Sequence, residues 1–142
     1  MEVGDLSQID KIQVLSFKEN GDERGKLVVV EGLKDVPFEI KRLFYIYGSD
    51  AGIVRGCHAN RRTEFVLVNV CGSSKVKIKD SQKEKVFVLD KPNVAIYLPN
   101  MTWKEMYDFS YDSVLLVLAS ELYDPNEYIR DLEDFVKEGE RM

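Results

Sequence analysis

Short apolar blocks of the β-strand type, separated by polar turns, run along most of the chain. The blocks are IQVLSF (12–17), KLVVVEG (26–32), IKRLFYIYG (40–48), FVLVNVCG (65–72), KVKIKD (75–80), KVFVLD (85–90), NVAIYLP (93–99) and SVLLVLAS (113–120). Turn signals rich in Gly, Asn, Asp, Ser and Pro lie between them, among them ENGDERG at 19–25 and DKPN at 90–93. This spacing predicts an all-β sandwich or barrel.

The pattern changes to a helical period near the C-terminus. Asp124 is placed as an N-cap, Pro125 follows at the first helical position, and Glu127 completes a capping box. An apolar stripe at helical spacing follows at Ile129, Leu132, Phe135 and Val136. Gly139 is suited to end the helix. The sequence therefore predicts one amphipathic helix over about 124–138, packed against the sheets.

Length and charge narrow the class of protein. With 142 residues, 44% of them apolar, the chain is predicted to form a single domain over 1–142. The net charge of −5 and the lack of a basic aromatic stripe disfavour a nucleic-acid module. No apolar run reaches the roughly 18 residues of a membrane span, and the N-terminus does not read as a secretory signal, so a cytoplasmic protein is expected. Cys57 and Cys71 lack a zinc spacing and are expected to be buried and reduced.

The stretch RGCHANRRTEF at 55–65 holds the only histidine of the chain. On a regular strand, Gly56, His58 and Asn60 share one face, and Cys57 and Ala59 share the other. If the sheets close into a barrel, the polar face lines a cavity. A lone histidine is also compatible with a structural or surface role, and the stretch by itself leaves both open.

This stretch offers too few ligands for a metal site. A metal-binding strand of this type reads His-x-His-x3-Glu, with a further histidine from a later strand, because a divalent ion needs three or four good ligands. His58 and Glu64 occupy the first and third positions, but Asn60 stands at the second and there is no other histidine. We expect no metal and no other cofactor.

Several longer segments resemble the sugar-nucleotide 3,4-ketoisomerases of the cupin superfamily. They are DERG at 22–25, PFEIKRLFYIYG at 37–48, VRGCHA at 54–59, YLPNMTWKEMYDFSYDSVLLVLAS at 97–120 and YDPNEYIRDLEDF at 123–135. The resemblance implies a cupin-type antiparallel β-barrel (jelly roll), free of metal. It also implies a homodimer, with an N-terminal strand exchanged between subunits. The implied reaction converts dTDP-4-keto-6-deoxy-D-glucose to a dTDP-3-keto-6-deoxyhexose in deoxyaminosugar biosynthesis, with no membrane or nucleic-acid partner.

The resemblance also assigns candidate roles, and three polar positions depart from the family pattern. His58 is the candidate base, since imidazole titrates near pH 6.5. The second family histidine is Asn60, which cannot exchange a proton but can hydrogen-bond an enediol oxygen or the His58 ring. The residue after the tryptophan, His or Arg in relatives, is Lys104, a candidate cation for the enediolate. Phe65 replaces a common glutamine after Glu64.

The remaining candidates bind substrate. Arg42 and Arg55 are predicted to hold the diphosphate, because guanidinium groups bind phosphate oxygens bidentately. The family pattern puts Arg24 at the sugar end and Glu64 among the substrate-binding groups. Trp103 and Tyr107 are candidates for stacking on a sugar or thymine ring.

Two further interpretations remain besides an active isomerase. One is a catalytically impaired cupin that binds a dTDP-sugar without isomerising it, since Asn60 removes part of the family's proton relay. The other is a 3,5-epimerase of the same superfamily, which needs a histidine with an acidic partner and a tyrosine acid on the opposite face. The sequence places no such set.

Overall fold

The computed structural model describes residues 7–142, and the fold is built almost wholly from antiparallel strands. The strands are β1 (Gln13–Ser16), β2 (Glu19–Asp22), β3 (Gly25–Val28), β4 (Arg42–Tyr47), β5 (Arg55–Asn60), β6 (Phe65–Cys71), β7 (Ser74–Lys79), β8 (Glu84–Leu89), β9 (Val94–Leu98), β10 (Trp103–Tyr107), β11 (Val114–Ala119) and β12 (Tyr128–Ile129). One α-helix, α1 (Leu132–Glu140), and two short 3-10 turns, Gln8–Lys11 and Pro125–Glu127, complete the structure. The all-β prediction with one short C-terminal helix is confirmed.

Two five-stranded sheets face each other. The first has the order β1-β9-β6-β11-β4 and the second the order β12-β5-β10-β7-β8, while β2 and β3 form a separate hairpin. The main core lies between the sheets and includes Leu67, Ile96 and Leu115 from the first and Val76 and Ile78 from the second.

The first sheet is also covered on its outer face. There Val66, Val68 and Leu118 pack against Phe17 and Phe38 from the segments flanking the hairpin. Strands buried on both faces read as continuous apolar runs, which explains FVLV in β6 and LLVL in β11.

The predicted C-terminal helix of about 124–138 is wrong at its start. Asp124 does act as an N-cap, but only of the 3-10 turn Pro125–Glu127, and Ile129 lies in β12, which pairs with β5. The helix begins only after Asp131, whose side chain accepts from the backbone N–H of Asp134. Helix formation at 128–130 is prevented because Tyr128 and Ile129 form ladder contacts with β5 instead. Within residues 7–142, no helix is long and apolar enough to cross a membrane.

Three smaller predictions are also wrong. The segment ENGD, predicted as part of a turn, forms β2, and only the following two residues make the hairpin turn. Gly139 lies inside α1 instead of ending it. Cys57 and Cys71 are exposed, not buried, because each lies near a strand irregularity that turns it outward.

Candidate active site

A cavity of about 490 Å³ opens between the two sheets and collects most of the cationic candidates. Its lining includes Arg42, Arg55, His58, Lys104, Tyr123, Tyr128 and Arg130. A second cavity of about 510 Å³ lies between α1 and the N-terminal 3-10 turn, lined by residues such as Lys11 and Asp80. The first cavity contains His58, the only histidine of the chain, and the second does not. The first cavity is therefore the candidate active site.

A β-bulge in β5 determines which side chains reach this cavity. Arg55 and His58 both line it, although residues three apart on a regular strand point to opposite faces. Gly56 and Cys57 have φ values of 85° and 57°, and the pairing with β10 skips Cys57. The extra residue reverses the alternation, as bulges do. The predicted common face of Gly56, His58 and Asn60 is therefore only partly right, because Gly56 pairs with Glu105 while His58 pairs with the neighbouring Lys104. Asn60 is buried behind the cavity.

Gly56 is required at the bulge for a second reason. A Cβ on this residue would lie 2.8 Å from the backbone carbonyl oxygen of Lys104 and 3.0 Å from the Met106 side chain. Only glycine permits this close approach of β5 to β10. His58 and Lys104 are directly opposite each other in the two strands as a result.

Lys104 is a buried cation at the base of the cavity, with 4% of its surface exposed. Its Nζ lies 3.4 Å from the Asn60 Oδ1 and 4.2 Å from the centre of the Phe65 ring. Burial lowers the pKa of Lys104 to about 7, with Glu127 opposing this shift and Arg42 adding to it. Lys104 therefore titrates in the neutral range, where it can both stabilise an anion and exchange a proton.

His58 is half-buried beside Lys104, and its ring lies 4.8 Å from that of Tyr128. Burial, together with the nearby positive charges of Lys104, Arg130 and Arg42, lowers the pKa of His58 to about 4, and a backbone hydrogen bond with Gly56 opposes this shift. The imidazole is therefore neutral at pH 7 and free to accept a proton.

Arg42 carries unpaired hydrogen-bond donors into the cavity. Its Nε and Nη2 are buried without a partner among the described residues. The guanidinium carbon lies 5.6 Å from the centres of the Phe44 and Tyr123 rings. Buried donors without partners are costly, so this arrangement suits an anionic ligand with several acceptor oxygens.

Sequence reasoning missed three lining residues, Tyr123, Tyr128 and Arg130, which lie on one segment that crosses the cavity. The Tyr128 ring contacts His58, and the Arg130 guanidinium carbon lies 4.6 Å from the centre of that ring. The signal was present in YDPNEYIRD, but a helix was predicted from Asp124 onward, and none of the three residues was assigned to the site. The observed 3-10 turn and β12 place them over the cavity instead.

The other predicted site residues lie away from the cavity. Arg24 is exposed in the β2–β3 turn and paired with Asp22 at 2.6 Å. Glu64 accepts a hydrogen bond from the Tyr97 hydroxyl, which raises the Tyr97 pKa together with burial. Trp103 packs against Phe135 near α1, and Tyr107 lies at the far end of β10 near Lys77. Asn60 is 1% exposed and reaches the site only through Lys104.

The chain is similar to several known proteins over nearly its whole length. The family model FdtA, described as WxcM-like, C-terminal, matches residues 10–140. The TDP-4-oxo-6-deoxy-alpha-D-glucose-3,4-oxoisomerase of Aneurinibacillus thermoaerophilus is 42% identical over 125 residues, which are 88% of this chain and 90% of the relative.

Two solved structures share the fold closely. QdtA, a sugar 3,4-ketoisomerase from Thermoanaerobacterium thermosaccharolyticum solved in complex with TDP, is 39% identical with a TM-score of 0.89, covering 92% of this chain and 95% of that one. A 3,4-ketoisomerase from Helicobacter canadensis is 40% identical with a TM-score of 0.88, covering 91% and 97%. The predicted resemblance and the cupin-type barrel are thereby confirmed, and the chain belongs to the sugar-nucleotide 3,4-ketoisomerase family, a family of isomerases.

Proposed function

We propose that this isomerase converts TDP-4-keto-6-deoxy-D-glucose to a TDP-3-keto-6-deoxyhexose, with His58 and Lys104 as its catalytic residues. The observation that carries the proposal is that a neutral imidazole and a buried amine of pKa about 7 lie opposite each other in one cavity. The substrate is the one named for the Aneurinibacillus relative.

His58 is the base for the carbon acid. The C3 proton is acidic because it lies beside the C4 ketone, and the neutral imidazole takes it. The electrons of the C3–H bond form the C3–C4 double bond, and those of the C4 carbonyl move to O4. The imidazolium then returns the proton at C4, so one base serves both carbons.

Lys104 stabilises the intermediate and handles the oxygen protons. Its ammonium, only 4% exposed, is placed to face the developing O4 anion, and its burial strengthens the attraction. To finish the reaction, O4 must gain a proton and the O3 hydroxyl must lose one, which leaves the ketone at C3. A group titrating near pH 7 is suited to carry that proton. Asn60 supports Lys104 through its Oδ1 and takes no part in proton transfer.

Three guanidinium groups around the cavity are suited to the diphosphate. Arg42 contributes two buried donors that have no partner within residues 7–142, and Arg55 and Arg130 line the same cavity. Arg42 and Arg55 were predicted for this role from the sequence, and Arg130 joins them. Tyr123 and Tyr128 provide ring surfaces for a sugar or base.

The proposed activity is tested by NMR of TDP-4-keto-6-deoxyglucose incubated with the protein in D2O, beside a blank without protein. We expect a 3-keto product, with deuterium at C3 of the remaining substrate or at C4 of the product. The C4 configuration of the product is read from the same spectra. Saturable TDP binding without isomerisation or exchange above the blank overturns the proposal, and supports the impaired sugar-nucleotide binder.

We also propose that two copies associate, as the resemblance implies. The support is the outer edge of β4, which has no strand partner within residues 7–142 and exposes Leu43, Tyr45 and Tyr47. Apolar strand edges of this kind favour pairing with another chain. Light scattering on the purified protein is expected to give twice the 16.4 kDa chain mass, and a monomer contradicts it. Exchange of an N-terminal strand stays a prediction; residues 1–6 lie outside the described range.

A further inference from the structure

Glu127 is a buried carboxylate that the proposed chemistry does not use. It is 1% exposed and lies at the end of the 3-10 turn that leads into β12. Its Oε1 accepts from the backbone N–H groups of Arg62 and Thr63 at 2.8 and 2.9 Å, and its Oε2 accepts from the Thr63 hydroxyl. Burial raises the pKa of Glu127, but these hydrogen bonds outweigh it and hold the pKa below its usual range. The carboxylate is therefore charged at neutral pH.

Glu127 and Lys104 contact the same short segment of chain, from Asn60 to Phe65. Glu127 binds that segment through Arg62 and Thr63, and the residue after it, Tyr128, pairs with Asn60. Lys104 contacts the same segment through the Asn60 amide and the Phe65 ring. A buried negative charge and a buried ammonium thus contact the same six-residue segment, Asn60 to Phe65.

Among the described residues, Glu127 is the acidic group whose charge raises the Lys104 pKa, and it does so without a direct ion pair. Within residues 7–142 no acidic side chain lies within 4.0 Å of Lys104. The charged and titratable groups that face it from other elements are His58 on β5, Arg42 on β4 and Glu127 on the C-terminal segment. Arg55 and Arg130 line the same cavity. All of these except Glu127 are basic.

We propose that Glu127 is a positioning residue whose buried negative charge keeps the Lys104 ammonium charged inside the cationic cavity. The contribution of Lys104 to the chemistry rests on the proposed function, but the coupling between the two charges does not. The same carboxylate anchors the segment that carries Tyr123, Tyr128 and Arg130 over the cavity. A purely structural role and an electrostatic role therefore have to be separated.

The Glu127→Gln variant separates them, because it removes the charge and can keep every hydrogen bond. The amide oxygen can accept from both backbone N–H groups, and the amide nitrogen can donate to the Thr63 oxygen. The matched control is Thr63→Val, which removes one of the three hydrogen bonds and keeps the charge. Thermal unfolding establishes that each variant is folded.

The Lys104 titration is followed by NMR on protein with isotope-labelled lysine side chains, its resonance assigned by its loss in Lys104→Met. Removing the negative charge makes the ammonium less favourable, so the midpoint is expected to move from about 7 to lower pH in Glu127→Gln. A fall of one unit lowers the charged fraction at pH 7 from about one half to about one tenth. In Thr63→Val the midpoint of the Lys104 titration is expected to remain at its native value.

Rescue provides a second measurement. In the double variant Asn60→Asp, Glu127→Gln, a carboxylate replaces the amide 3.4 Å from the Lys104 Nζ, and the midpoint is expected to rise above that of Glu127→Gln alone. An unchanged midpoint in Glu127→Gln, or an equal shift in Thr63→Val, overturns the proposal.

Turnover is measured on the same variants. If isomerisation needs the charged Lys104, its loss at alkaline pH is expected to begin at lower pH in Glu127→Gln. If the native protein does not isomerise the substrate, the proposed function fails, while the NMR titration still decides whether Glu127 controls Lys104.

Discussion

Basic side chains on the outer surface and those in the cavity differ in how often a carboxylate pairs with them. On the surface many of them are paired with a carboxylate, as in Arg24–Asp22 at 2.6 Å, Arg61–Glu138 at 2.8 Å and Lys83–Asp10 at 2.7 Å. In the cavity the basic groups are Arg42, Arg55, Lys104 and Arg130. Within residues 7–142, none of these four has a carboxylate within 4.0 Å.

The difference teaches where to look for function. An exposed ion pair neutralises itself and contributes about 0–1 kcal/mol to stability. The cavity cations Lys104, Arg130 and Arg42 instead lower the pKa of His58, and Arg42 also lowers that of Lys104. Arg42 keeps two buried donors that have no partner within residues 7–142. Such an arrangement is unfavourable for folding and favourable for binding an anion, so the clustering of four cations around one cavity indicates the site.

The largest expected effect of a single change is that of His58→Asn. Removing the only imidazole should lower the isomerisation rate by about 10²- to 10⁴-fold, the usual contribution of a positioned base. TDP binding should persist, because the cavity cations remain. The measurement is turnover by NMR beside TDP titration, with the exposed and paired Arg24→Ala as control. A variant that keeps its turnover contradicts the assignment of the base.

Lys104→Met is expected to lower turnover by about 10²- to 10³-fold, as loss of a group that stabilises an oxyanion does. Stability should change in the opposite direction, because an apolar side chain of similar length replaces a desolvated amine. The folded-state pKa of about 7 lies below the unfolded value near 10.5, so the cost of burying the charge is fully present below pH 7.

The gain in thermal midpoint of Lys104→Met over the native protein should therefore be greatest below pH 7 and disappear above about pH 10.5. Thermal unfolding of both proteins at several pH values below, within and above this range measures how the gain in thermal midpoint changes with pH. A gain that grows with rising pH contradicts the assignment of a depressed pKa to Lys104.

These contrasts also show how much the sequence could predict. The central strands β6 and β11 of the first sheet were evident because both of their faces are buried, so FVLV and LLVL leave little choice of structure. The segment at 123–131 was misassigned because Asp124, Pro125 and Glu127 satisfy every local rule for a helix start. Long-range pairing of Tyr128 with Asn60 outweighs that local preference. Local rules therefore missed the segment that completes the site.

Of the predicted site residues, the structure brings His58, Lys104, Arg42 and Arg55 to one cavity, while Trp103, Glu64 and Arg24 lie away from it. A motif shows that a residue is near the site, but not which way its side chain points. On β10, Trp103 and Lys104 are neighbours that face opposite sides of the strand. The exposure and direction of each side chain depend on the register between β5 and β10, which sequence does not give.

A smaller effect is expected from Arg42→Met. Loss of charge-assisted hydrogen bonds of about 1.5–3 kcal/mol should weaken TDP binding by about 10- to 100-fold and reduce its salt dependence. The matched control is Arg24→Met, which removes a guanidinium already neutralised by Asp22 and should leave TDP binding within about twofold. Calorimetric titration with TDP at two salt concentrations measures the affinity and its salt dependence for each variant. Equal losses in the two variants would remove the distinction between paired and unpaired cations.

The smallest effect is expected at Cys57, the extra residue of the β5 bulge, which directs Arg55 to the cavity and not to the outer surface. Its φ of 57° is unfavourable for residues other than glycine by about 1–2 kcal/mol, so Cys57→Gly should raise stability slightly and keep TDP binding within about twofold. Cys57→Val, with a β-branched side chain, should destabilise the bulge and weaken TDP binding through Arg55. Chemical denaturation and TDP titration compare the two. Equal TDP affinity in a folded Cys57→Val protein would show that the bulge is not what brings Arg55 to the cavity.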